Sequence, residues 1–111
     1  MIAVIVSFRY GKDFSVAKVH QLAQTSRAKF ETMAGLRLKL FSVSPELQEV
    51  RNIYVWDDPE AANRFFSPES RGRIAALCGA EPIIEYAEVC ALVERSPVRA
   101  TKEPCTGVAR V

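Results

Sequence analysis

The chain has 111 residues, of which 49% are hydrophobic and 25% charged, and a net charge of +2. That length holds one domain around one core. The interspersed acids and bases form no basic stripe of the kind a nucleic-acid binder carries. No apolar run approaches the ~18 residues of a membrane span. The three cysteines, Cys78, Cys90 and Cys105, form neither a CxxC motif nor a Cys/His cluster, which argues against structural zinc and for a reducing cytoplasm. Neither nucleic acid nor membrane is therefore expected as a partner.

The first ten residues, MIAVIVSFRY, lack a basic leader region and a small-residue cleavage site. They read as a strand rather than a signal peptide. Ile2 to Tyr10 is close to continuously apolar, as a central strand buried on both faces would be. Gly11-Lys12-Asp13 breaks the run, and Asp13 or Ser15 can cap a helix. Ser15 to Ala34 reads as that helix. At about 100° per residue, Val16, Val19, Leu22, Ala23, Phe30, Met33 and Ala34 share a face. Ser26 falls within that stripe, and His20 and Arg27 fall at its edge. Gly35 is the helix stop.

Leu36 to Ser44 is the second strand and Val50 to Asp57 the third, joined by a turn at Ser44-Pro45-Glu46. With Lys39 opposite Tyr54, one face carries Arg37, Lys39, Phe41, Asn52, Tyr54 and Trp56. The other carries Leu36, Leu38, Leu40, Ile53 and Val55. One face is thus aliphatic and the other aromatic with polar tips. Asp58-Pro59-Glu60 starts a short helix to Phe66, with Ala61, Ala62 and Phe65 inward. Ser67-Pro68-Glu69 repeats that cap and starts a second segment to about Cys78, with Ile74, Leu77 and Cys78 on its inner side. Cys78 and Cys90 read as small buried hydrophobes. Pro82 to Glu94 is the last strand.

The order strand, helix, strand, strand, split helix, strand predicts an α+β, ferredoxin-like βαββαβ domain over residues 1–95, with a four-stranded antiparallel sheet and its helices on one face. An aliphatic patch on the bare face asks for cover, and a symmetric homodimer joined through the open sheet face would supply it. The tail, 96–111, has no periodicity and is expected to pack on the partner subunit.

Five segments carry a resemblance: Gly35-Leu36-Arg37-Leu38-Lys39-Leu40-Phe41, Asn52-Ile53-Tyr54-Val55-Trp56-Asp57, Glu60-Ala61-Ala62, Pro82-Ile83-Ile84-Glu85-Tyr86 and Ala91-Leu92-Val93. In this order and spacing they resemble the YdhR-type monooxygenase family of the dimeric α/β-barrel superfamily, beside the antibiotic-biosynthesis monooxygenases. The resemblance covers residues 1 to 95. It implies a homodimer with a cavity between sheet and helices in each subunit. It also implies oxidation of aromatic or polyketide-like phenols by O₂ with no metal, haem or flavin cofactor.

Such chemistry needs a base or hydrogen-bond partner for the phenolic oxygen and a dry aromatic pocket. Lys39 and Tyr54 are the catalytic candidates. Lys39 can hold a lowered pKa when partly buried and stabilise an enolate, and Tyr54 can bond the same oxygen. The plainer alternative is a snorkelling lysine beside a packing tyrosine. Trp56 and Tyr86 can stack on a planar ligand or serve the core, as can Phe65. His20, the single histidine, is a candidate base or a solvent-facing residue. Ser26 can reach a ligand or bond its own backbone. Asn52 and Asn63 can donate to an oxyanion or hold turns, and Arg9, Arg71 and Arg73 can steer an anion. Substrate binding is thus assigned to Trp56, Asn52, His20, Ser26 and Tyr86, against a small-molecule aromatic ligand. The alternatives are a non-catalytic small-molecule binding protein, a haem-binding or haem-degrading protein with His20 as axial ligand, and a cyclase or isomerase on the same scaffold.

Overall fold

The computed structural model describes residues 1–10, 15–78 and 81–95. The elements are β1 (Ile2–Arg9), α1 (Val16–Glu31), β2 (Leu36–Ser44), β3 (Glu49–Trp56), α2 (Pro59–Phe65), α3 (Pro68–Cys78) and β4 (Ile83–Glu88). The strands form one sheet in the order β2-β3-β1-β4 with every neighbouring pair antiparallel, the ferredoxin-like arrangement. The predicted α+β architecture with its split second helix is the one observed.

Alternation along the central strands decides the layering. Val4 and Val6 of β1 and Tyr54 and Trp56 of β3 point to the helical face, where they form a core with Ala61, Ala62 and Phe66. Phe30 of α1, Phe65 of α2 and Ile74 of α3 pack against that core, so all three helices cover the same face. Each helix starts where the sequence provides a cap. Ser15 Oγ accepts from the Lys18 amide at 3.2 Å, Asp58 Oδ1 from the Ala61 amide at 2.8 Å and Ser67 Oγ from the Ser70 amide at 3.2 Å. Asp58→Ala should cost about 1 kcal/mol, read as a lower urea midpoint at unchanged m-value.

Lys39 pairs with Tyr54, the register that puts Lys39, Phe41, Asn52 and Tyr54 on the helical face. A bulge between Leu36 and Leu38 breaks the alternation beyond that point. Leu36 therefore pairs with Trp56 and packs against the helical core instead of joining the aliphatic face. Arg37 sits in the bulge, half out in solvent, with its guanidinium 3.5 Å from Asp57. The extra residue lets the strand enter from a tight turn after α1.

Three other expectations change, and the inward placing of Phe65 holds. α1 ends at Glu31 rather than Ala34, because Met33 to Leu36 forms a turn closed by the Leu36 amide on the Met33 carbonyl, with Gly35 at φ 83°. Ala34 is exposed in that turn. β4 stops at Glu88 rather than Glu94, because Glu88 faces Ile2, the first residue of its only partner strand. Cys90 lies beyond that end and is exposed, not buried. Phe66, beside the half-buried Phe65, is the more deeply buried ring of that pair. The readings on Gly11 to Asp13, on the side chains of Leu77 and Cys78, on Cys105 and on the tail lie outside the described residues.

The opposite sheet face carries Ile5, Leu38, Leu40, Ile53, Val55 and Ile83. Leu40 is 50% and Ile83 63% exposed there. No helix among the described residues is long and apolar enough to cross a membrane.

Candidate functional site

The site lies between α1 and the sheet. Val19, the one buried residue of that helix, packs with Phe8, Tyr10 and Val50, and with Leu22 and Phe30 it also borders a cavity. The cavity is about 180 Å³ and is walled by Val6 and Phe8 of β1, Val19, Leu22 and Phe30 of α1, and Phe65 and Ile74 of the later helices. Its polar lining is sparse: Ser26, Lys29, Lys39, Asn52 and Tyr54. A few converging polar groups in an apolar hollow are the usual make-up of a small-molecule site.

Lys39 and Tyr54 meet at its wall. Lys39 Nζ donates to Tyr54 Oη at 2.9 Å. The same nitrogen lies 3.6 Å from the Phe30 ring centre, 4.2 Å from Phe41 and 4.3 Å from Tyr54. Ring faces favour a cation, but burial takes the amine from water, and Lys29 adds a like charge. Burial is the larger effect and lowers the Lys39 pKa from 10.5 to about 7. Near neutral pH this amine is divided between its acid and base forms.

The rings behind it hold Tyr54 in place. Tyr54 stacks on Trp56 at 5.9 Å with 8° between planes, and Phe66 meets it edge-on at 5.0 Å. With Trp56 only 1% exposed, the phenol cannot swing away without breaking the core. Among the described residues, two buried side-chain polar atoms have no hydrogen-bond partner, Asn52 Oδ1 and Trp56 Nε1. Orphaned groups of this kind cost about 1–3 kcal/mol each, which a ligand can recover.

Of the candidate residues, Lys39, Tyr54, Asn52 and Ser26 line one cavity. Trp56 lies behind Tyr54, within the core cluster. His20 is exposed on α1, and Tyr86, on β4, is 39% exposed; neither lines the cavity. Arg9, Asn63, Arg71 and Arg73 are exposed, and none is in the lining. Residues not singled out from sequence complete the wall, above all Lys29, Phe30 and Phe41. Phe41 was within reach, since it shares the Lys39 face by alternation. Phe30 and Lys29 were not, because helical periodicity places Phe30 with the core and Lys29 in solvent.

Phe30, Lys39 and Phe41 also border a second recess of about 260 Å³, lined further by Arg27, Glu31, Leu36, Arg37 and Leu38. The lysine and its two phenylalanines thus line both recesses, the one between α1 and the sheet being the inner cavity.

No protein-family model and no curated protein matches this chain in sequence. Solved structures do match in fold. A monooxygenase from the ActVA-Orf6 gene of Streptomyces coelicolor, in complex with nanaomycin D, superposes with a TM-score of 0.60 at 17% identity, over 86% of this chain and 92% of its own. SnoaB, a cofactor-independent oxygenase from Streptomyces nogalater solved in a mutant form, gives 0.61 at 14% identity, over 85% and 97%. NE2512, a protein of unknown function from Nitrosomonas europaea, gives 0.65 at 13%, over 86% and 94%. These likenesses show that the chain has the fold of the antibiotic-biosynthesis-type monooxygenases.

Proposed function

We propose that the chain is a cofactor-independent monooxygenase acting on a compact phenol or enol, with Lys39 and Tyr54 as its catalytic residues. The observation that carries this reading is the 2.9 Å hydrogen bond from Lys39 Nζ to Tyr54 Oη at the wall of a largely apolar cavity, where burial pushes the lysine pKa down to about 7. Neutral Lys39 takes the phenolic proton and becomes the ammonium partner of the phenolate. Tyr54 hydrogen-bonds the same oxygen, and Asn52 Oδ1 accepts from a second hydroxyl. The desolvated, electron-rich ring gives one electron to O₂, and superoxide recombines with the ring radical to form a hydroperoxide. Loss of water leaves a quinone, so phenol and O₂ yield quinone and H₂O. The substrate supplies every electron.

The inner cavity sets the size of the substrate. An apolar cavity of about 150 Å³ accepts benzene, so about 180 Å³ holds one substituted ring. A polycyclic substrate would extend into the neighbouring recess that Phe30, Lys39 and Phe41 also line. Tyr54→Phe, which keeps the ring stack and removes the hydroxyl, should lower kcat about tenfold in an oxygen-electrode assay with a one-ring phenol. Ligand-induced stabilisation with no O₂ uptake would instead mark a non-catalytic binding protein.

A homodimer through the open sheet face belongs to the same reading, supported by the exposed Leu40 and Ile83. Sedimentation should show a dimer, and Leu40→Glu should shift it to monomer. The quoted segments support the YdhR-type subfamily, and the free Cys90 thiol suits the cytoplasm.

A further inference from the structure

A base needs only one free lone pair at Lys39, yet the geometry supplies more. The amine faces a half-open, largely apolar cavity, has a hydroxyl 2.9 Å away, and has a second lysine, Lys29, on the same wall with its ammonium 5.3 Å from the Phe30 ring. An amine that is desolvated and has a cationic neighbour is activated as a nucleophile towards carbonyl carbon. A hydroxyl within bonding distance can pass protons to the carbonyl oxygen as it turns into a leaving group.

We propose that Lys39 is a carbonyl-trapping residue that forms a reversible imine with a one-ring aromatic aldehyde or ketone held in the inner cavity. Lys39 Nζ attacks the carbonyl carbon, the C–N bond forms, and the carbonyl π electrons move to oxygen, which takes a proton relayed by Tyr54. The carbinolamine then loses its hydroxyl as water while nitrogen gives up a proton, so aldehyde and amine yield imine and one water. No oxidant or reductant takes part. The aryl group sits against Val6, Phe8, Val19 and Leu22, where about 180 Å³ accommodates a single ring.

The step needs no O₂, so its test is separate from that of the oxygenase reading. The protein is incubated under argon at pH 7.5 with benzaldehyde and cyanoborohydride, which converts the imine into a stable benzylamine, and the modified lysine is found by peptide mapping. Lys39 should be benzylated at least about tenfold faster than the exposed Lys18, since each unit of lowered pKa raises the neutral fraction tenfold. Lys39→Arg should abolish that modification, and Lys29→Met should slow it. In the unmodified protein, excess phenol should protect Lys39 by filling the cavity, a readout independent of how any variant folds. Labelling of Lys39 at parity with Lys18, or at a rate indifferent to phenol, would overturn the proposal.

Discussion

Replacing Lys39 with methionine is expected to lower kcat/KM by about 10²–10⁴-fold, the range general-base catalysis contributes. The same change should make the folded protein more stable at neutral and acidic pH. Methionine fills the space among Phe30, Phe41 and Tyr54 with a flexible apolar chain and makes favourable sulfur–aromatic contacts. It also removes a charge that folding takes out of water. The pH dependence has a definite sign. The folded-state pKa of Lys39 is about 7 and that of the unfolded chain near 10.5. Between these values the unfolded chain holds the proton that the folded chain has released. Stability contributed by this site therefore rises with pH across that window, by up to ~1.4 kcal/mol per pH unit. Below pH 7 both states are charged and the full cost of the buried ammonium is present. Urea titrations at pH 6 and pH 9 should show Lys39→Met more stable than the parent at pH 6, by about 2 kcal/mol after allowing for the ring contacts the ammonium loses. The difference should shrink at pH 9. Activity should follow the same titration, with kcat/KM rising through about pH 7 as the amine loses its proton. A gain in stability with a loss of turnover is the signature of a residue kept for chemistry at the expense of the fold.

The second large effect is expected at Gly35, far from the amine. Gly35 has φ 83°, and a Cβ built there would lie 2.7 Å from the Ala61 Cβ. Its carbonyl accepts from the Asp57 amide at 2.8 Å, which joins the start of β2 to the end of β3. Gly35→Ala therefore meets two penalties. A left-handed backbone costs a non-glycine residue ~1–2 kcal/mol, and overpacking against α2 adds about 1–3 kcal/mol. The sum, about 2–5 kcal/mol, should lower Tm by about 10 °C or more. Ala61 is held at the start of α2 by the Asp58 cap and has no room to retreat. Ala61→Gly in the same chain should recover part of the loss, because it removes the atom struck.

Much of the architecture was legible because it rests on short-range signals. The alternation from Lys39 to Phe41 and from Asn52 to Trp56 determines which side chains share the helical face, and the observed Lys39–Tyr54 pairing agrees with it. The caps at Ser15, Asp58 and Ser67 mark all three helix starts. Errors arise where tertiary partners decide. The bulge at Arg37 has no signature of its own in a run of alternating leucines, so alternation alone puts Leu36 on the wrong face. The end of β4 depends on where β1 begins, which its own apolar sequence does not encode. Met33 and Ala34 continue the apolar stripe of α1, yet the turn at Gly35 ends the helix earlier than that stripe suggests. Within the site, the polar pair was readable from alternation. The cavity was not, because it is lined by residues from β1, α1, β2, β3 and the later helices, which only tertiary packing brings together. Phe30 packs against the core and lines the cavity as well, a double role that helical periodicity does not separate.

The most direct test of the oxygenase reading is O₂ consumption by the purified protein with a one-ring phenol, in the presence of a chelator and with no added cofactor, beside the Lys39→Met variant. The account predicts uptake of one O₂ per quinone formed, insensitive to chelator and lost in the variant. Binding of the phenol without O₂ uptake, or equal uptake by Lys39→Met, would contradict it.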